Sequence, residues 1–65
     1  MKIYRNAIQT DRAFIDFDNI QHLSWSKHQE NYEVKIYSNA RYILQIVSTK
    51  EFNELLEMYK MYKGV

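Results

Sequence analysis

Few side chains in this sequence have the type and spacing that chemistry requires. Asp16 and Asp18 are carboxylates at i, i+2, on one face of a strand. Such a pair can hold a divalent cation or share a proton. A calcium loop, however, needs further oxygen ligands and a glycine at its sharp turn, and neither accompanies them. They read as strand residues that face water or open a turn. His22 and His28 lie six apart around Trp25. With Asp16 or Asp18 they make a His/His/Asp set on paper, but the spacing matches no metal-ligand motif. Ser24, Ser26 and Ser38 lack the G-x-S-x-G turn of a strained nucleophile. The one glycine, at position 64, excludes glycine-rich phosphate loops. The absence of cysteine excludes disulfides and thiolate metal sites. The expectation is therefore a non-enzyme with no catalytic residue, cofactor, metal site or small-molecule substrate.

The remaining chemistry-bearing group is aromatic and basic. Tyr32, Lys35, Tyr37, Arg41 and Tyr42 crowd one short segment, with Lys2, Tyr4, Arg5 and Arg12 near the start. Sheets that bind single-stranded nucleic acid offer rings for base stacking and cations for phosphate. Lys35 and Tyr37 share a strand face, but so does Glu33, and no RNP-like aromatic motif is present. Tyr, Trp and Arg equally dominate protein–protein interfaces. The candidate contact residues are Trp25, Tyr32, Tyr37 and Tyr42, with Lys35 and Arg41 as polar contacts. Trp25 reads equally well as core.

These residues must be positioned by a small set of elements. Ser48 with Glu51 three residues on is a capping box, with Thr49 a rival N-cap. From there Phe52, Leu55, Leu56, Tyr59 and Tyr62 form one stripe at helical spacing, which Met58 and Met61 widen. Acidic residues come early, Lys60 and Lys63 late, and Gly64 stands at the C-cap. The pattern predicts a helix over 49–63. Upstream the period becomes two. Tyr32, Val34 and Ile36 alternate with Glu33, Lys35 and Tyr37, the pattern of a half-buried strand. Arg41 to Val47 has apolar groups on both faces, which suits a central strand or one with a partner on its outer side. Ser38-Asn39-Ala40 joins the two as a hairpin. Ala40 sits where a two-residue turn prefers glycine, so a slightly longer loop is expected. Ala13 to Trp25 contributes a strand interrupted at Asp18-Asn19, either by a bulge or by division into two strands. Ser26 to Asn31 is wholly polar and reads as a loop. Lys2 to Ile8 adds an N-terminal strand, with Gln9 to Arg12 as its turn.

Together these give a single α+β domain over residues 1–65. It is a small antiparallel β-meander of three to five strands, within about 2–8, 13–25, 31–37 and 41–47, with one C-terminal amphipathic helix on one face. A chain of 65 residues buries only about 60% of its unfolded surface. One helix covers one face of a sheet, leaving Phe14, Tyr37, Ile43 or Leu44 and Tyr4 for the other. A partner on that face or along a sheet edge is expected. The net charge of +1 is spread evenly over both halves, unlike the basic surfaces of most nucleic-acid-binding domains. No apolar run approaches the ~20 residues of a membrane span, and no signal peptide is evident. Nearly half the chain is Ile, Lys, Asn, Tyr, Phe or Met, a bias that points to an AT-rich genome such as that of a low-GC bacterium or its phage. The sequence thus predicts a cytoplasmic protein–protein interaction module, homodimeric, plausible as a phage or mobile-element accessory protein that modulates a host protein. A small nucleic-acid-binding regulator using Lys35, Tyr37 and Arg41 is the alternative.

Overall fold

A computed structural model describes residues 1–64. The chain runs β1 (Lys2–Ile3), β2 (Ala7–Gln9), β3 (Phe14–Asp16), a 3₁₀ turn (Phe17–Asn19), β4 (His22–His28), β5 (Asn31–Ser38), β6 (Arg41–Ser48) and α1 (Thr49–Lys63). It is an α+β fold with its helix at the C-terminus. Six short strands stand where three to five were expected, and they form two antiparallel three-stranded sheets, β1-β2-β3 and β4-β5-β6.

The division has a local cause. Phe17 does not continue β3. Its carbonyl accepts from the Ile20 N–H at 3.1 Å, closing the 3₁₀ turn at the Asp18-Asn19 interruption. Pairing resumes in a different sheet, where the Gln21 N–H donates to the Tyr37 carbonyl at 2.9 Å. The expected N-terminal strand also folds back on itself. The Tyr4 N–H donates to the Ala7 carbonyl at 2.8 Å, so 2–8 becomes two strands. Thr10 then holds the next turn. Its hydroxyl accepts from the N–H groups of Arg12 and Ala13, both at 3.1 Å.

The second sheet is larger than the sequence predicts. β4 runs through the polar residues Ser26 to His28 that read as a loop, each paired across β5. Polar side chains fit there because that end of β4 is exposed to water on the strand face and along the edge. The β4–β5 turn is only Gln29-Glu30, and Gln29 takes φ 58°. The β5–β6 turn is only Asn39-Ala40, with φ 52° and 62°. The expected longer loop at Ala40 is therefore absent. Both turn residues adopt the left-handed region, which costs alanine about 1–2 kcal/mol, because this twist matches that of the flanking strands. β6 is an edge strand rather than a central one, since it pairs with β5 alone.

The helix forms as its capping signals require. The Ser48 hydroxyl accepts from the Glu51 N–H at 3.1 Å, and the Glu51 carboxylate accepts from the Ser48 N–H at 3.2 Å. Gly64 closes the last turn at φ 76°. Phe52 and Leu55 are buried, and Leu56, Met58 and Tyr59 pack against the core, whereas Met61 points to solvent. One apolar cluster unites the elements. Ile8 and Ile15 come from the first sheet, Phe17 and Ile20 from the connection, Leu23, Val34, Ile36 and Val47 from the second sheet, and Phe52 and Leu55 from α1. The first sheet and the helix thus share one face of the second sheet.

Two stability measurements follow. Ala40→Gly removes the left-handed penalty and raises the urea midpoint by an amount equivalent to about 0.5–1 kcal/mol at unchanged m-value. An unmoved midpoint contradicts the strained turn. Phe17→Ala empties the centre of the cluster, at a cost of about 3–5 kcal/mol. A chain of this length has only about 3–10 kcal/mol in total, so the variant's cooperative thermal transition moves down sharply or is lost.

Candidate functional site

Residues paired across an antiparallel sheet point to the same side. The register sorts the second sheet into two faces. Leu23, Trp25 and Lys27 on β4 lie with Tyr32, Val34 and Ile36 on β5, and with Ile43, Gln45 and Val47 on β6. This is the inner face, toward the core. His22, Ser24, Ser26 and His28 lie with Asn31, Glu33, Lys35 and Tyr37, and with Tyr42, Leu44, Ile46 and Ser48. No element of the described chain packs on this outer face.

The six candidate residues separate accordingly. Lys35, Tyr37 and Tyr42 come together on the outer face. A row of rings crosses all three strands, His22 to Tyr37 at 5.3 Å and Tyr37 to Tyr42 at 5.5 Å between centroids. The Lys35 ammonium lies 5.4 Å from the Tyr42 ring centroid, a cation–π contact of about 0.5–1 kcal/mol at an exposed site. Tyr32 and Trp25 belong to the inner side instead. Tyr32 stacks on Phe52 of α1 at 3.9 Å with the rings 8° from parallel, and Trp25 meets Phe52 edge-on at 5.4 Å. Trp25 nonetheless leaves 48% of its surface in water at the β4 edge.

Arg41 lies on the inner side of the hairpin end. There it shares a cleft of about 720 Å³ with Arg12, Asn19, Asn39 and the apolar Ile36 and Ile43. The cleft lies between β3 and the β5–β6 turn. Its lining includes no carboxylate or imidazole, and its titratable side chains are Arg12, Arg41 and Tyr42.

Two apolar residues outside the candidate set are also exposed on this surface. Leu44 leaves 44% and Ile46 67% of its surface in water, beside Tyr42 at 55%. Together they form an apolar line along edge strand β6. The signal for them was in the sequence, in the apolar groups on both faces of 41–47.

The groups that could have carried catalysis or metal are dispersed. His22 and His28 sit at opposite ends of one strand, about 20 Å apart at the usual rise per residue. Asp16 ends β3 and Asp18 lies in the 3₁₀ turn. Among the described residues no group of three His, Asp or Glu side chains is placed to hold a metal ion. Asp18 has a different role. Hydrogen bonding to its carboxylate raises the Tyr62 phenol above its usual pKa, with burial and the charges of Asp18 and Asp16 adding.

The fold and this face define a small α+β domain with a one-sided core and an apolar edge strand. No family model, curated protein or solved structure matches the chain. Among the described residues no helix is long and apolar enough to cross a membrane.

The Tyr62 contact gives a measurable titration. Because its folded pKa is raised above 10.0, the contact's contribution is complete below the unfolded value and fades as pH rises through the folded one. Ultraviolet titration should show the Tyr62 phenol ionising late, and Asp18→Asn should move it back toward the ordinary range. A titration curve that Asp18→Asn leaves unchanged removes the contact.

Proposed function

We propose that this protein is a small, non-enzymatic protein-interaction module that works as a homodimer through the outer face and free edge of its second sheet. The observation that carries this reading is the line of Tyr42, Leu44 and Ile46, apolar and exposed on an edge strand. Burying one such aliphatic side chain is worth about 1.5–3 kcal/mol. Soluble monomers seldom leave a contiguous line of them in water, least of all on a strand whose backbone is also free to pair. The lack of cysteine fits a reducing compartment such as the cytoplasm. The AT-rich composition fits a low-GC bacterium or its phage, where a module of this kind would modulate a host protein.

One observation favours nucleic acid as a second reading: the His22–Tyr37–Tyr42 row offers rings for stacking beside Lys35. Lys35 is also the sole Lys or Arg on that face, with Glu33 two residues away. One phosphate contact gives a log–log salt slope of about −1 or shallower. Tight binding of a labelled single strand with a slope of several would replace the leading reading.

Sedimentation velocity over a concentration series tests the leading one. The wild type is expected to pass from monomer to dimer, and Leu44→Ser/Ile46→Ser to stay monomeric with an unchanged far-ultraviolet spectrum, because both side chains are already exposed. A wild type that stays monomeric throughout the series defeats the homodimer.

A further inference from the structure

We propose that two copies of this chain join β6 to β6, antiparallel about a two-fold axis at Leu44, into one continuous six-stranded sheet. The proposal rests on the self-association reading above and specifies its geometry.

The backbone register leads to it. A two-residue turn makes Ser38 and Arg41 a hydrogen-bonded pair, and such pairs alternate along an antiparallel ladder. Arg41, Ile43, Gln45 and Val47 therefore bond to β5. The N–H and C=O groups of Tyr42, Leu44 and Ile46 point to the free edge, and no backbone partner for them is found among the described residues. These are the same three residues whose side chains stand exposed on the outer face. A two-fold at Leu44 sets Leu44 against Leu44 and Tyr42 against Ile46, all in hydrogen-bonded positions. Every free backbone group of the three residues meets a complement, and every outer-face pair is apolar.

The other edge contrasts with this one. β4 ends in Lys27 and His28, and its outer face carries Ser24 and Ser26, polar groups of the kind that blunt an edge, while its half-exposed Trp25 lies on the inner side against Phe52. β6 has one charge, Arg41 at its end, and no proline interrupts it. A contact of β6 with β6 also closes on itself, whereas β4 with β6 would propagate as a fibre. The Asp11 carboxylate accepts from Gln45 Nε2 at 3.4 Å. The turn that carries Asp11 therefore lies beside Gln45 on the inner side of β6, away from the outer-face pairs. Edge pairing alone is a small interface, so the dimer depends on concentration.

A charge exchange tests the register. Tyr42→Glu and Ile46→Lys are each expected to weaken association by at least about tenfold, since each places a charge opposite an apolar side chain. The double variant is expected to recover most of that loss, because the register sets each new carboxylate against a new ammonium of the other copy. Within one chain the two sites lie about 13 Å apart along the strand, so recovery cannot come from one copy alone. Amide exchange on the wild type supplies a second readout without substitution. Tyr42, Leu44 and Ile46 amides should gain protection as concentration rises, while the outward amides of β4 at Leu23, Trp25 and Lys27 should not. A dimer in which the double variant recovers nothing, or in which β4 amides gain protection instead, overturns this register and leaves the homodimer standing. A wild type that never associates overturns both, and open-ended species overturn the two-fold.

Discussion

The Phe17 ring is wholly buried where three structural units meet. It lies edge-on to Tyr59 and Tyr62 of α1, at 5.6 and 5.5 Å, and its N–H donates to the Asn6 carbonyl of the first sheet at 2.8 Å. Four residues later the Gln21 N–H is bonded to the Tyr37 carbonyl of the second sheet. Every other packing relation follows from this placement. The 3₁₀ turn ends β3, so the first sheet is too short to form a layer of its own. It lies with α1 over the inner face of β4-β5-β6, and Val34 and Ile36 at the centre of that sheet become the floor of the core. A core residue of this kind is worth several kcal/mol, a large share of what a chain of 65 residues has in total.

A core built on one side leaves the other side of the sheet to water. The outer face resolves this unequally across its three strands. β4 presents serine and histidine, and β5 presents Asn31, Glu33, Lys35 and Tyr37. On β6 the outward residues are Tyr42, Leu44 and Ile46. The apolar excess is concentrated on β6, one of the two strands of this sheet with a free ladder. Side-chain exposure thus distinguishes β6 from β4 as the more apolar of the two free edges on the outer face.

How much of this was legible in the sequence depends on how local the determining interactions are. The helix was readable to the residue, because Ser48, Glu51 and Gly64 act within one turn of themselves. The faces of β5 were readable from the alternation of Tyr32, Val34 and Ile36. The two-sheet arrangement was not, because it depends on a single 3₁₀ turn whose carbonyl acceptor is Phe17, and nothing in the residue types distinguishes that turn from a bulge. The extension of β4 through Ser26, Lys27 and His28 was hidden for a related reason. An edge strand exposed to water needs no apolar alternation, so it looks like a loop. Trp25 and Tyr32 had the composition of an interface but are held by Phe52, a contact 27 and 20 positions away in the sequence, beyond the reach of any periodicity.

The short turns sharpen which outer-face residues are free to act on a partner. Gln29 and Ala40 hold left-handed backbone without glycine, at about 1–2 kcal/mol each. The hairpin at Ala40 must be closed by contacts beside it. Tyr37 and Tyr42 form the first outer-face cross-strand pair, one step beyond the Ser38–Arg41 pair that flanks the turn, with Lys35 against the Tyr42 ring. An aromatic pair contributes about 0.5–1.5 kcal/mol beyond its burial, which is the size needed to offset the strain. These tyrosines therefore serve the fold even in an isolated chain. Leu44 faces Lys35 across the ladder and Ile46 faces Glu33, and neither apolar side chain gains comparable packing from its neighbour. Their exposure has no compensation within one copy, so association would relieve Leu44 and Ile46 more than it would Tyr37 and Tyr42.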